Sequence, residues 1–358
     1  MLMNKVIKRD NQLDIYRGIS MIYVVCFIHV LFWFHIGKEP YISIALIEMP
    51  VIFYISGASL SLSNGNKNLC ETFMNRFKRV IFPYYIYAFV VLMLIAFFTL
   101  IRSGLFSCYD YYCRLDFIDK YYFDITAYTL NDVVNVLFCV NIPQSPFSTH
   151  LWFILPYMII YCSFVFQSII LKKIDRWPYA VFCLILCVVT QLLTDNIIIR
   201  EVVFYNVFFI FGYLFYRQIS EKLIVVAGLV FLLSIILYIK FGGMFTSMQS
   251  HKFPPDMLFV GYGLTFICFI SLLLGHVKLP KIKVIQLWNN RGYTIYLYQN
   301  LVFFVVNESL LSYIKIIRFD LIQLIMCSTV IFLLSTLLSY ISYRFERYIM
   351  SLLSTKNR

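Results

Sequence analysis

The sequence predicts an all-α, polytopic membrane protein with about ten transmembrane helices and both termini cytoplasmic. Three observations lead there. Of 358 residues, 61% are hydrophobic and 13% charged, and the mean hydropathy is +0.80, a balance no soluble domain has. Ten apolar runs approach the roughly 20 residues needed to cross a ~30 Å hydrocarbon core as helix. Lys and Arg collect on alternate connections between those runs, as cytoplasmic loops require.

The first dozen residues are polar and basic, with Lys5, Lys8 and Arg9. The next stretch, the apolar run 14–35, is too long for a signal-peptide core and lacks a small-residue cleavage site, so it reads as an uncleaved first helix. The remaining spans are 41–62, 80–101, 150–171, 178–196, 198–216, 222–241, 257–276, 292–313 and 321–343. The fifth and sixth lie so close that Asp195 to Glu201 must turn as a tight hairpin. With the N-terminus inside, twenty-one of the 30 Lys and Arg fall on inner segments and nine on outer ones, which supports cytoplasmic termini. The same asymmetry accounts for the net charge of +12, so no nucleic-acid partner is expected. The spans use up the length, and residues 1–358 read as a single membrane domain in the bilayer, without an appended extracytoplasmic domain.

The longest connection, 102–149, lies on the outer side and is rich in Tyr and Asp, from Tyr109 and Asp110 to Tyr122 and Asp124. Within it, Thr129 to Val140 reads as a short amphipathic helix with Asn131 or Asp132 near its start. Two readings of the aromatic and acidic side chains stand side by side. They suit sugar binding by ring stacking and hydroxyl hydrogen bonds, and they equally suit tyrosines packed at headgroup depth. Most of the ten cysteines fall in apolar runs, where Cys behaves as a small hydrophobe. No CxxC or Cys/His spacing points to a metal. Cys108 and Cys113 share the outer loop, where an oxidising space would permit a disulfide.

The chemistry starts from His29, well inside the first span. A titratable ring in hydrocarbon costs several kcal/mol unless compensated, so it marks a functional site by default. If the first two helices turn near Lys38, His29 and Glu48 lie at similar depth, both roughly 14 Å from the turn. A Glu–His pair is a general base in which the carboxylate fixes the tautomer and stabilises the imidazolium. The bland alternative has His29 on a backbone carbonyl and Glu48 reaching headgroups. Arg17 lies twelve residues before His29, about 18 Å of helix, comparable to an extended pantetheine arm. A second basic cluster, Arg76-Phe77-Lys78-Arg79, puts Arg76 and Arg79 on one helix face within reach of a phosphate. By itself that cluster is also an ordinary positive-inside anchor.

Five motifs in order across most of the chain resemble the acyltransferase-3 family of integral-membrane O-acyltransferases. They are Leu13-Asp14 followed by Arg17-Gly18, an apolar run and His29; Glu48 to Gly57, ending Phe53-Tyr54-Ile55-Ser56-Gly57; Arg76 and Arg79 as Arg-x-x-Arg; His150-Leu151-Trp152-Phe153; and Tyr296-Leu297-Tyr298-Gln299. The resemblance implies transfer of an acyl group, most often acetyl, from cytoplasmic acyl-CoA to a hydroxyl of an envelope or exported polysaccharide or a lipid-linked saccharide, in a bacterial cytoplasmic membrane. It implies His29 as base oriented by Glu48, a CoA site of Arg17, Arg76, Lys78 and Arg79, and acceptor contacts from His150, Trp152, Gln299 and Asn300, with acetyl-CoA as donor substrate and no metal. Two departures stand out. The family leaves ten residues between the basic residue and the His, whereas eleven separate Arg17 from His29. On a regular helix the extra residue turns Arg17 away by about 100°. Either a π-bulge restores the face, or Arg17 acts from an unwound start beside Gly18. Gln299 stands where the family often has His, and a Gln cannot titrate.

Two rivals come from other classes. A proton-coupled transporter of a glycan or small solute also fits ten helices with an intramembrane His and Glu, but no Gly/Pro-broken helices recur in two matching halves. A glycan polymerase would carry arginines for an anionic lipid carrier in its large outer loop, and this loop carries Asp and Tyr.

Overall fold

The structure is a computed structural model describing residues 10–38, 40–63, 69–102, 124–140, 142, 146–240, 247–275, 279–317 and 319–355. Cys108, Cys113 and most of the Tyr- and Asp-rich stretch of the outer loop lie outside the described residues. Every regular element among the described residues is helical. Nine helices among them are long and apolar enough to cross a membrane.

The first, α1, runs Asn11–Trp33. Asp10 caps it, its carboxylate accepting from the backbone N–H of Gln12 at 3.0 Å and of Leu13, which satisfies donors the first turn leaves open. A turn, Tyr41–Ala45, leads into α2, Glu48–Ser63. Beyond it lie α3, Leu69–Arg102; the short α4, Leu130–Leu137; and α5, Ile154–Leu171. Next come α6, Arg176–Leu193; α7, Ile197–Phe215; α8, Glu221–Lys240; and α9, Met257–Gly275. The chain ends with α10, Lys283–Ser309; the single turn α11, Leu311–Ile314; and α12, Asp320–Thr355.

The tight hairpin between the fifth and sixth spans is present but shorter than expected: it turns within 194–196, and Ile197 to Glu201 already belong to α7. Arg200 holds it by donating to the carbonyls of Gln191 and Thr194 at 3.0 and 2.8 Å, carbonyls the end of α6 leaves without helical partners. The amphipathic helix of the outer connection is α4. Its cap is Thr129, in a reciprocal capping box with Asp132, so Asp132 sits near the start as expected, at the third helical position.

The tenth expected span, 292–313, falls on α10, α11 and the turn between them. With 27 residues, α10 is long enough, but it is too polar to stand among the nine apolar helices. The reason is burial: seven consecutive residues, Thr294 through Asn300, are buried. A helix enclosed on all sides by protein needs no apolar face for lipid. By contrast α12 exposes Leu333, Leu337 and Ile341.

The chain divides into two compact units, one of residues 1–73 and 159–290, the other of 74–158 and 291–358. In the first unit, glycines let backbones meet. A Cβ on Gly57 of α2 would lie 1.8 Å from the Phe209 carbonyl oxygen of α7, and one on Gly212 would lie 2.0 Å from that of Tyr54. Ser56-Gly57 is therefore a close-packing pair. In the second unit, tyrosines of α3 pin the chain that connects α3 to α5. Tyr84 donates to the Val136 carbonyl at 2.9 Å, Tyr85 to Leu137 at 2.7 Å and Tyr87 to Phe147 at 2.6 Å.

Candidate active site

The first unit holds both Arg17 and His29. Between them α1 contains a π-helical turn, Val24–Ile28. A regular helix advances about 100° per residue, so twelve residues leave Arg17 and His29 about 120° apart. A π-turn absorbs one extra residue, and the net rotation falls to about 20°. Of the two arrangements compatible with the eleven-residue gap, the structure has the bulge, while the start of α1 is regular helix through Arg17 and Gly18. Gly18 is needed for a different reason: a Cβ there would sit 2.4 Å from the Ile285 carbonyl oxygen, so α1 and the first turn of α10 touch backbone to backbone.

That close approach shapes the surroundings of Arg17. Its guanidinium donates to Asp14 at 3.4 Å, Asn289 at 3.3 Å and Ser59 at 3.1 Å. Three helices, α1, α2 and α10, thus converge on one half-buried cation. Ser59 and Asn289 were invisible in the sequence, being 42 and 272 positions away. Beside them lies a cavity of about 220 Å³ lined by Asn11, Asp14, Lys281, Gln286, Asn289 and Asn290, with Ile15 and Ile285 as its apolar wall.

At the other end of α1, His29 is partly exposed and stacks face to face on Trp33, ring centroids 4.5 Å apart and planes 6° from parallel. The pair is one turn apart on the same helix, so sequence spacing alone permits it. A protonated imidazole over an indole face gains cation–π stabilisation, about 0.5–2 kcal/mol.

Glu48 is buried, but its hydrogen bond is not to His29. Its Oε1 is held in an ion pair by Lys252, and its buried Oε2 makes no hydrogen bond among the described residues. The expected carboxylate–imidazole contact is thus replaced by a carboxylate–ammonium one. The cause is the segment 247–256, which folds over the entry to α2. The backbone N–H of Met248 donates to the Ser43 hydroxyl at 3.1 Å, and His251 Nδ1 meets Asp256 at 2.6 Å. This delivers Lys252 to a depth where a carboxylate would otherwise stand uncompensated. Depth matching between adjacent spans cannot register a cation arriving from 204 positions away.

The second unit holds the other candidates. Arg76 is half-buried and donates to the Tyr157 hydroxyl at 2.9 Å, while Lys78 and Arg79 are exposed. Pro83 lies within α3, where it removes the hydrogen bond that would return to the Arg79 carbonyl. Tyr293 donates to the next carbonyl, Val80, at 2.9 Å.

His150, expected at the outer surface for an arriving sugar, is 2% exposed. Its Nε2 bonds the Leu297 carbonyl at 3.1 Å, which only a protonated nitrogen does. Tyr296 in turn donates to the His150 carbonyl at 3.0 Å. Asn300 donates to Pro146 and Thr149, both at 3.2 Å, and Gln299 is fully buried. The structure therefore ties His150 and Asn300 into the packing between α10 and the 146–150 loop, and buries Gln299 in α10. Trp152 remains partly exposed.

Two further polar groups escaped sequence reading. Arg291 lies 4.0 Å from the ring centroid of Tyr340, and buried Glu346 accepts from Thr294 at 2.6 Å. In sequence, Arg291 and Glu346 look like ordinary positions at helix ends.

A family model described as acyltransferase domain matches residues 10–344. No curated protein and no solved structure matches the chain.

Proposed function

Because the chain belongs to the acyltransferase-3 family, we propose that it moves an acetyl group from cytoplasmic acetyl-CoA to a hydroxyl of a cell-envelope or exported polysaccharide, or of a lipid-linked saccharide. The setting would be a bacterial cytoplasmic membrane. The observation that carries this reading is the π-turn at Val24–Ile28, which returns Arg17 and His29 to one helix face across a gap otherwise wrong for it. Family membership also favours acyl transfer over proton-coupled export.

In the proposed reaction, His29 accepts the proton of the acceptor hydroxyl as its oxygen attacks the thioester carbonyl. The C–S bond breaks, and the CoA sulfur leaves as thiolate and takes that proton from the imidazolium. Trp33, stacked on His29, stabilises the imidazolium between the two transfers. Arg17, Arg76, Lys78 and Arg79 serve the CoA phosphates. His150 and Asn300 serve the acceptor indirectly, by fixing the loop before α5 against α10, Gln299 serves it from within α10, and the partly exposed Trp152 stacks on a sugar. Glu48 enters as half of its ion pair with Lys252 rather than as the partner of the imidazole.

The test is acetyl transfer or acetyl-CoA hydrolysis by purified protein, wild type against His29→Ala. General-base catalysis contributes about 10²–10⁴-fold, and a loss of that size is expected. Unchanged turnover would remove His29 from the reaction. For donor binding, Arg76→Ala is expected to raise KM for acetyl-CoA and to recover at high donor concentration. Failure to recover would argue that Arg76 does more than bind donor.

A further inference from the structure

We propose that the cavity beside Arg17 receives the adenine end of the acyl-CoA donor, an assignment that rests on the donor reading above. Four carboxamides line it, Asn11, Gln286, Asn289 and Asn290. Asn289 already accepts from Arg17 and donates to the Asn290 oxygen, so the Asn290 N–H and the whole carboxamides of Asn11 and Gln286 remain to supply the donor and acceptor pattern that pairs with the N6 and N7 edge of adenine. Ile15 and Ile285 supply the apolar wall on which a flat base can lie.

Size and charge agree. At about 220 Å³ the cavity is smaller than the roughly 300–1,000 Å³ that encloses a whole ligand, so it suits one end of a long molecule. Lys281 at its rim is placed for a ribose phosphate, as a compact point charge. The acidic lining residue, Asp14, is already in contact with the Arg17 guanidinium, which offsets its repulsion toward an anion.

The remaining length also fits. Asp14 precedes His29 by fifteen residues, about 22 Å of helix, the scale of an extended phosphopantetheine arm. A nucleotide in this cavity would leave the thioester at the level of His29, on the face that the π-turn preserves. The close approach of Gly18 to Ile285 holds the two walls together.

The experiment uses the purified full chain with two donors, acetyl-CoA and acetyl-phosphopantetheine, which lacks the nucleoside. The quantity read is the ratio of their kcat/KM values. In Gln286→Leu and, separately, Asn290→Leu, both at exposed positions, that ratio is expected to fall about five- to hundredfold. As a readout independent of turnover, adenosine 3′,5′-bisphosphate is expected to raise the Tm of the wild type and to lose that effect in both variants. A ratio that stays at its wild-type value, or equal protection of wild type and variants, overturns the cavity assignment while leaving the CoA reading intact. A wild type that accepts acetyl from neither thioester overturns the CoA reading, and the cavity assignment falls with it.

Discussion

His29 and His150 are both histidines in apolar surroundings, and both belong to sequence motifs of the same family, yet their settings are opposite. His29 is partly exposed and leans on an indole face. His150 is 2% exposed, donates to a backbone carbonyl and receives Tyr296 on its own carbonyl. A base must meet its substrate and must be stable in both protonation states. A ring bonded to a carbonyl inside a buried cluster is placed for neither, so in the proposed reaction His150 serves as a pin. Location in a motif thus says that a histidine matters, and burial says in what way.

The comparison is most directly broken by His29→Ala, for which turnover is expected to fall about 10²–10⁴-fold with Tm little changed. His150→Ala is expected to do the reverse. It removes the second donor of the Leu297 carbonyl, which keeps its helical one, at a cost of about 0.5–1.5 kcal/mol read by thermal unfolding, while turnover per folded molecule changes only severalfold. If His150→Ala abolished turnover with no loss of Tm, the assignment of pin and base would have to be exchanged.

Lys252 sets a second contrast, between a charge that acts and one that only compensates. Lys252→Met leaves Glu48 buried and uncompensated, for which about 3–5 kcal/mol of lost stability is expected. The double variant Lys252→Met, Glu48→Gln is expected to recover most of it. Recovery of stability without recovery of turnover would show that the pair also serves the reaction. A smaller effect is expected from Trp33→Leu. Loss of about 0.5–2 kcal/mol of cation–π stabilisation corresponds to a roughly two- to thirtyfold lower kcat, with KM for donor unmoved.

The smallest effect concerns α4. Hydrogen bonds from Thr129, backbone first and then side chain, hold the Asp132 carboxyl below its ordinary range. A carboxyl held low stabilises the helix at and above the ordinary carboxylate range, and that contribution is lost as pH falls through the folded-state value. Amide protection across 130–137, corrected for intrinsic exchange, is expected to drop on acidification in the wild type and to be low and pH-independent in Asp132→Asn.

Much of the molecule is legible in its sequence. Span lengths come from hydropathy because the bilayer imposes one thickness on every crossing. The hairpin at 194–196 and the amphipathic α4 come from local spacing and capping chemistry. Even the need for a π-turn is readable, as one of two solutions to the spacing of Arg17 and His29. The polar tenth helix is the exception: its hydropathy depends on whether neighbours are lipid or protein, and seven buried residues in a row answer that only in three dimensions.

The sequence by itself determined an all-helical membrane chain, its family, and the helix that carries Arg17 and His29, because period, length and motif are properties of neighbouring residues. Only the tertiary structure decided which solution the first helix takes, that Ser59 and Asn289 hold Arg17, and that Lys252 rather than His29 claims Glu48. Those partners lie 42, 272 and 204 positions away. Buried charge accepts whichever counter-charge the fold delivers, and chain separation carries no record of that delivery.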